Sequence, residues 1–196
     1  MNNETQSLQI LRKLTVGFNP FNKKYSEIID EIWSNYQDQF DSNNSLNGVV
    51  FEELLGYVLT LAGCMPFYMQ AKVAYVPNVN YDFICYDTEH GPVSLSAKTS
   101  LRERWKQADL EAVALKYVHR NASSYLVTLD EAVIKTRLEK INDCMGLNDF
   151  VLATSHRFDV LIEELKERTF SKAGVIDTVT SNIIIDSNNH KERYGN

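Results

Sequence analysis

The chain has 196 residues, of which 44% are hydrophobic and 23% charged, and its formal net charge is −6 at pH 7. This length and composition predict a single soluble globular domain, residues 1–196, with a sizeable hydrophobic core. The negative net charge argues against a protein that coats nucleic acid indiscriminately, because such binding needs many cationic contacts with phosphates.

The cysteines and the N-terminal residues indicate a reducing, intracellular setting. Cys64, Cys85 and Cys144 are odd in number and form no CxxC pair, so neither a disulfide framework nor a zinc site is expected. The N-terminal residues show no basic segment followed by an apolar block, and no apolar run approaches the length of a membrane span. We therefore expect a cytoplasmic protein with no membrane partner.

Helical periodicity dominates the first third of the chain. Apolar residues recur at helical spacing in segments 5–15, 24–40 and 47–62, and Gly63 is placed to end the third helix. We assign residues 1–45 to an N-terminal helical extension and the third helix to the beginning of the core.

Alternating patterns typical of strands follow the third helix. The segments with strand character inside the predicted core, residues 47–130, are 70–76, 81–87, 92–98 and 123–129, with a helix over 103–118. Residues 131–186 predict additional α/β elements, namely a helix at 131–142, a strand at 150–154, a helix at 157–168 and a strand at 182–186. Residues 187–196 are polar and are expected to fray. The prediction is an α/β fold in which helices flank a mixed sheet of about five strands.

The most informative stretch lies between the third predicted strand and the following helix. Apolar and polar residues alternate over Pro92–Lys98, which places Ser96 and Lys98 on the polar face of a strand. After a short basic turn the period becomes helical, and Arg104 and Glu111 share one face of that helix. This geometry is able to bring Lys98 and Glu111 together.

These residue types suit the hydrolysis of a phosphodiester. That reaction needs a metal ion held by hard oxygen ligands, an activated water and positive charge near the developing phosphorane. Asp82, near the start of a strand, and Glu111 supply two carboxylates for Mg²⁺, with the Ala97 carbonyl as a third ligand. Lys98 then orients the attacking water or stabilises the charged transition state.

The order of elements, with an acid and then a lysine after a strand, resembles the PD-(D/E)xK nuclease fold, here over residues 47–130. Tyr81 stands where that motif has proline, and Ser96 stands where it has a second acid. Both departures resemble type II restriction endonucleases of the PspGI, EcoRII and NgoMIV group, in which a glutamate on the next helix replaces the strand acid. The 12 residues between Lys98 and Glu111 agree with that group. The resemblance implies a restriction-endonuclease-like core in which Glu111 takes the role of the absent acid.

A second part of the resemblance concerns base recognition. In that group an Arg-(Asp/Glu)-Arg trio just after the lysine reads consecutive G:C pairs, and Arg102, Glu103 and Arg104 stand at the matching place. Arginine is able to donate two hydrogen bonds to guanine, and a carboxylate accepts one from cytosine. Ser100 and Lys106 flank the trio and are expected to contact the DNA backbone. The resemblance implies Mg²⁺-dependent cleavage of double-stranded DNA at a short palindrome that contains CC:GG steps. It further implies a homodimer and a cognate DNA methyltransferase in the same system.

The third helix contributes the last candidate of the catalytic set. Glu52 matches the acid that these nucleases carry on the helix before the sheet, where it binds a second metal ion or holds a water on the first. The spacing leaves its neighbour Glu53 as an alternative. With Glu52 included, the catalytic candidates are Glu52, Asp82, Ser96, Lys98 and Glu111.

Two other functions remain open on the sequence alone. One is a repair or structure-specific nuclease of the same fold, which would cleave flaps or junctions without sequence preference. The other is a DNA-binding module that keeps the fold without catalysis, because each candidate acid taken singly is also compatible with an ordinary surface or helix-terminal residue.

Overall fold

The computed structural model describes residues 5–41, 43–76, 78–101, 104–138, 141–172 and 179–195. The N-terminal part consists of three helices, α1 (Gln6–Thr15), α2 (Tyr25–Gln39) and α3 (Asn44–Leu61). Side-chain caps begin two of them: Thr5 accepts a hydrogen bond from the Leu8 N–H, and Asn43 accepts from the first turn of α3. These caps satisfy N–H groups that have no partner within the helix.

The rest of the described chain alternates between strands and helices. The strands are β1 (Phe67–Val73), β2 (Tyr81–Cys85), β3 (Val93–Lys98), β4 (Ser123–Thr128), β5 (Asp149–Leu152), β6 (Val179–Thr180) and β7 (Ile183–Ile185). The helices are α4 (Arg104–Val118), α5 (Glu131–Leu138), α6 (His156–Lys166) and α7 (His190–Tyr194), with a 3₁₀ turn at Ile141–Asp143.

All seven strands belong to one mixed sheet in the order β5-β4-β3-β2-β1-β6, and β7 also pairs with β1. Strands β1, β2 and β3 form an antiparallel meander, whereas β3, β4 and β5 are parallel. Helices α4 and α5 provide the crossovers that parallel neighbours require. The predicted mixed α/β architecture is therefore confirmed. The structure differs in detail: seven strands rather than about five belong to the sheet in the described residues, and the short strand β6 was not predicted. Strand β1 begins at Phe67 rather than at residue 70, and α3 begins at Asn44 rather than at residue 47.

Hydrophobic clusters cover both faces of the sheet. The larger cluster joins buried residues of α1, α2, α3 and α6 to one face of β1, β2 and β3. A second cluster lies on the opposite face of β1 and β2 against the C-terminal half of α4, and a third lies between α4, β4, α5 and β5. The sheet is thus sandwiched between α3 and α4, and these two helices carry the candidate glutamates Glu52 and Glu111. Within the ranges described, no helix is long and apolar enough to cross a membrane.

The expectation of a frayed polar tail over residues 187–196 is wrong for most of its length. Residues 190–194 form α7, and the side chain of Tyr194 is only 4% exposed. Its ring packs edge-on against Tyr57 of α3 with centroids 6.1 Å apart, and Arg193 forms an ion pair with the buried Glu53. Tyr194 and Arg193 therefore anchor the polar C-terminal segment to α3.

Replacing Tyr194 with alanine is expected to lower the free energy of unfolding by about 3–5 kcal/mol, because it removes a buried aromatic ring from a packed site. Urea denaturation followed by circular dichroism measures the change. Exposed Lys191 of the same helix provides the matched control, and Lys191→Ala is expected to change stability by less than about 0.5 kcal/mol. A Tyr194→Ala variant as stable as the parent would show that α7 contributes nothing to folding.

Candidate active site

Asp82 is the centre of a group of hydrogen bonds at the edge where β2 and β3 separate. The antiparallel register pairs Phe83 with Leu95, and one step further along brings Asp82 beside Ser96. Asp82 Oδ2 accepts hydrogen bonds from Lys98 Nζ at 2.6 Å, from the Ala97 N–H at 2.8 Å and from Ser96 Oγ at 3.2 Å. The Asp82 carboxylate therefore accepts the Ala97 N–H in place of a backbone carbonyl, and it holds the ammonium group of Lys98 in position.

The ion pair between Asp82 and Lys98 is largely shielded from solvent. Their side chains are 13% and 15% exposed, respectively. All three hydrogen bonds reach the same oxygen, so Asp82 Oδ1 has no donor among the residues that the structure describes. One carboxylate oxygen is thus held rigidly, and the other keeps its lone pairs for a ligand.

Glu111 approaches the same place from α4. It lines a crevice of about 10 Å³ together with Asp82 and Ser96, and the crevice has room for about one water molecule. Gln107, one turn earlier, donates a hydrogen bond to Glu111 Oε1 at 2.7 Å. The Tyr81 hydroxyl donates to the backbone carbonyl of Glu111 at 3.0 Å, which ties α4 to the strand that carries Asp82. The predicted convergence of the strand aspartate, the lysine and the helix glutamate is present in the structure.

The environment of Glu111 favours its protonated form relative to a solvated glutamate. Burial raises the pKa of Glu111, and the nearby Asp82 carboxylate raises it further. The hydrogen bond from Gln107 and the charge of Lys98 act in the opposite direction. A bound cation would remove this penalty, because it compensates the charge that burial and repulsion disfavour.

Glu52 adds a third carboxyl group, and the structure separates it from Glu53. Burial and the repulsion of Asp82 raise the pKa of Glu52 to about 7, while a hydrogen bond from Gln70 and the charge of Lys98 oppose the shift. Glu53 is 4% exposed and is bound by Arg193 of α7. Glu52 is therefore the glutamate of α3 that faces Asp82, and Glu53 fixes the C-terminal helix.

The donor set fits a hard divalent cation. Asp82 and Glu111 offer carboxylate oxygens in one crevice, and the backbone of Ala97 lies against Asp82 through its N–H. Across the described ranges, no three His, Cys, Asp or Glu side chains are grouped closely enough to form a complete cation site. Mg²⁺ commonly binds proteins through one or two carboxylates and keeps several waters, so the two carboxylates suit this ion.

The residues assigned to DNA contacts are only partly described. Arg102 and Glu103 lie outside the described residues. Arg104 begins α4 with an exposed side chain, and it lines a polar cavity of about 400 Å³ together with Ser100. Lys106 is exposed, and its Nζ lies 5.9 Å from the centre of the Trp105 ring. The described part of the proposed DNA-contacting segment therefore presents positive charge to solvent in the first turn of α4.

Two residues of the site were not singled out by sequence reasoning. Tyr81 was noted only as a departure from a motif, yet its hydroxyl bonds α4. Gln70 was taken as the first residue of a strand, yet its amide contacts Glu52 at 2.6 Å. The signal that could have identified Gln70 is its position as a polar residue within the largely apolar strand β1.

The strand order and the helices that flank the sheet match the restriction-endonuclease-like fold. The complex of restriction endonuclease PspGI with substrate DNA has a TM-score of 0.60 and 18% identity, over 97% of this chain and 86% of that chain. Metal-depleted Ecl18kI in complex with uncleaved DNA has a TM-score of 0.60 and 15% identity, over 84% of this chain and 79% of that chain. No family model and no curated protein matches the sequence. At these identities the similarity establishes the fold.

Replacing Asp82 with asparagine is expected to lower the pKa of Glu52 from about 7, because the substitution removes a repelling negative charge. Carboxyl-carbon NMR titration of the metal-free protein measures this pKa. Asp38, exposed on α2, provides a matched control, and Asp38→Asn should leave the Glu52 titration unchanged. An unchanged midpoint in Asp82→Asn would mean that the two carboxyl groups do not interact.

Proposed function

We propose that the protein is a metal-dependent endonuclease that hydrolyses double-stranded DNA in the manner of type II restriction endonucleases. The observation that carries the proposal is the position of Asp82, which forms an ion pair with Lys98 and lines one crevice together with Glu111. A lysine held against one carboxylate and a second carboxylate on a neighbouring helix suit metal-assisted phosphodiester hydrolysis. PspGI and Ecl18kI share this fold and are both seen in complex with DNA, which supports DNA as the substrate.

The carboxylates of Asp82 and Glu111 and the Ala97 carbonyl would hold Mg²⁺. When bound, the ion supplies Lewis-acid polarisation of the phosphate and lowers the pKa of a coordinated water. Asp82 Oδ2 is already engaged by three donors, so Oδ1 is the oxygen left for the ion.

The remaining side chains have distinct tasks. Lys98 is fixed by Asp82, and its ammonium group orients the attacking water and stabilises negative charge that develops on the phosphate. Ser96 and the Ala97 N–H hold Asp82 in place through Oδ2. Glu52, partly buried beside Asp82, would hold a water or a second ion.

Recognition of the target is assigned to the turn between β3 and α4. Arg102 and Arg104 would each donate two hydrogen bonds to a guanine, and Glu103 would accept from a cytosine, which reads a CC:GG step. A palindromic site requires two readers related by a two-fold axis, so we propose a homodimer. Ser100 and Lys106 would contact phosphates, and a methyltransferase of the same specificity would protect the host DNA.

The variants Asp82→Asn, Glu111→Gln and Lys98→Met are each expected to reduce Mg²⁺-dependent cleavage at least about 100-fold, because each removes a metal ligand or the charge at the phosphate. Digestion of a sequenced plasmid with end mapping measures cleavage and locates the site. Specific DNA binding in Ca²⁺ should persist in all three variants.

Exposed residues of α5 provide matched controls for two of these changes. Lys135→Met and Glu131→Gln alter the same residue types away from the site and should cleave like the parent. Cleavage by Lys98→Met at the parental rate would refute the assignment of the site. Specific binding by the parent protein without cutting in Mg²⁺ or Mn²⁺ would identify a non-catalytic DNA-binding module instead.

The reading of G:C pairs is tested by Arg102→Ala and Arg104→Ala. Each is expected to cost about 1–3 kcal/mol of discrimination at one base pair, because a bidentate contact with guanine is lost. Competition binding with single-substitution duplexes in Ca²⁺ measures the loss position by position. Arg120→Ala, an exposed arginine beyond the end of α4, should preserve the parental pattern. Unchanged discrimination in both variants would place recognition elsewhere.

A further inference from the structure

Gln70 has a backbone conformation that few residues of its type adopt. It lies in the middle of β1 with φ of +49°, in the left-handed region, and it is not glycine. In that region the Cβ of an L-residue crowds its own backbone, so residues other than glycine, asparagine and aspartate are uncommon there. Strained residues of this kind persist where the surrounding structure requires them, often at functional sites.

The left-handed residue reverses the alternation of β1. Phe67 and Met69 belong to the cluster on the α3 face of the sheet, whereas Ala71 and Val73 belong to the cluster on the α4 face. A regular strand would place all four on the same face, because side chains two residues apart point in the same direction. The reversal at Gln70 therefore keeps apolar residues buried on both faces and frees a polar side chain at the point of reversal.

The amide of Gln70 bridges the hairpin to α3. Its Nε2 donates to Glu52 Oε2 at 2.6 Å, and its Oε1 accepts a hydrogen bond from the Asn80 side chain. These two hydrogen bonds therefore link Asn80, two residues before Asp82 in the chain, to Glu52 through the amide of Gln70. Both functional groups of the amide are occupied, which fixes its orientation.

We infer that Gln70 is a positioning residue for the reaction: its left-handed backbone and oriented amide hold the Glu52 carboxylate beside Asp82. The inference rests on the proposed nuclease function and adds to it a residue that contacts neither DNA nor metal. Glutamine suits the task because its N–H donates to a carboxylate. Leucine has no donor, glutamate would repel Glu52, and asparagine is one methylene shorter.

The first test compares Gln70→Leu with the parent in single-turnover cleavage of duplex DNA. Loss of an outer contact that orients a ligand typically costs about 10- to 100-fold in activity or metal affinity, and we expect a loss of this size. DNA affinity in Ca²⁺ should not change. Exposed Gln6 of α1 provides the matched control, and Gln6→Leu should cleave like the parent.

A second variant separates the amide from the backbone. Gln70→Gly accepts a positive φ without strain, so its stability should equal or exceed that of Gln70→Leu, yet it should lose cleavage to the same degree. Parental cleavage by Gln70→Gly would overturn the inference, because it would show that only the backbone conformation matters.

A double-mutant cycle with Glu52→Gln decides whether Gln70 acts through Glu52. If it does, Gln70→Leu should cause little further loss in the Glu52→Gln background, whereas independent effects would multiply. Multiplying losses, or parental cleavage by Gln70→Leu alone, would overturn the inference and leave the nuclease proposal intact. Absence of any cleavage by the parent protein in Mg²⁺ or Mn²⁺ would instead overturn the nuclease proposal, and the assignment of Gln70 with it.

Discussion

The candidate site depends on the contact between Asp82 and Lys98. Glu52 and Glu111 each lie near the Asp82 carboxylate in a partly buried region, and burial and repulsion by Asp82 raise the pKa of both glutamates. Lys98 is the cation that opposes both shifts, and it lies 2.6 Å from Asp82 with little solvent exposure. Removing one member of a buried pair leaves an uncompensated charge, so Lys98 stabilises the Asp82 carboxylate in this partly buried region.

The elements on either side of the sheet orient the acids for different reasons. Helix α4 is tied to β2 by the Tyr81 hydroxyl, which fixes Glu111 relative to Asp82. Helix α3 presents two adjacent glutamates in different directions: Glu53 pairs with Arg193 of the C-terminal helix, and Glu52 meets the amide of Gln70. A buried ion pair on one side of α3 and an oriented amide on the other thus fix how the helix presents Glu52 to the sheet.

The sequence predicted the parts of the site that depend on local patterns. Alternation over β3 and the change to helical period after it placed Lys98 and Glu111 on adjoining elements, and the structure brings both to Asp82. Local pattern was insufficient where tertiary contacts decide the outcome. The choice between Glu52 and Glu53 depends on the rotation of α3, and the left-handed conformation of Gln70 satisfies two hydrophobic clusters at once. The docking of α7 likewise depends on Tyr57 and Glu53, which lie more than a hundred residues earlier in the chain.

The central claim is that a strand aspartate and a helix glutamate hold one cation beside an ammonium group. Anomalous diffraction from crystals of the protein grown with Mn²⁺ tests it most directly, because the scattering locates the ion without reference to activity. The account predicts a peak within ligand distance of both Asp82 and Glu111 and next to Lys98. An ion bound by neither carboxylate, or by Glu52 alone, would contradict it.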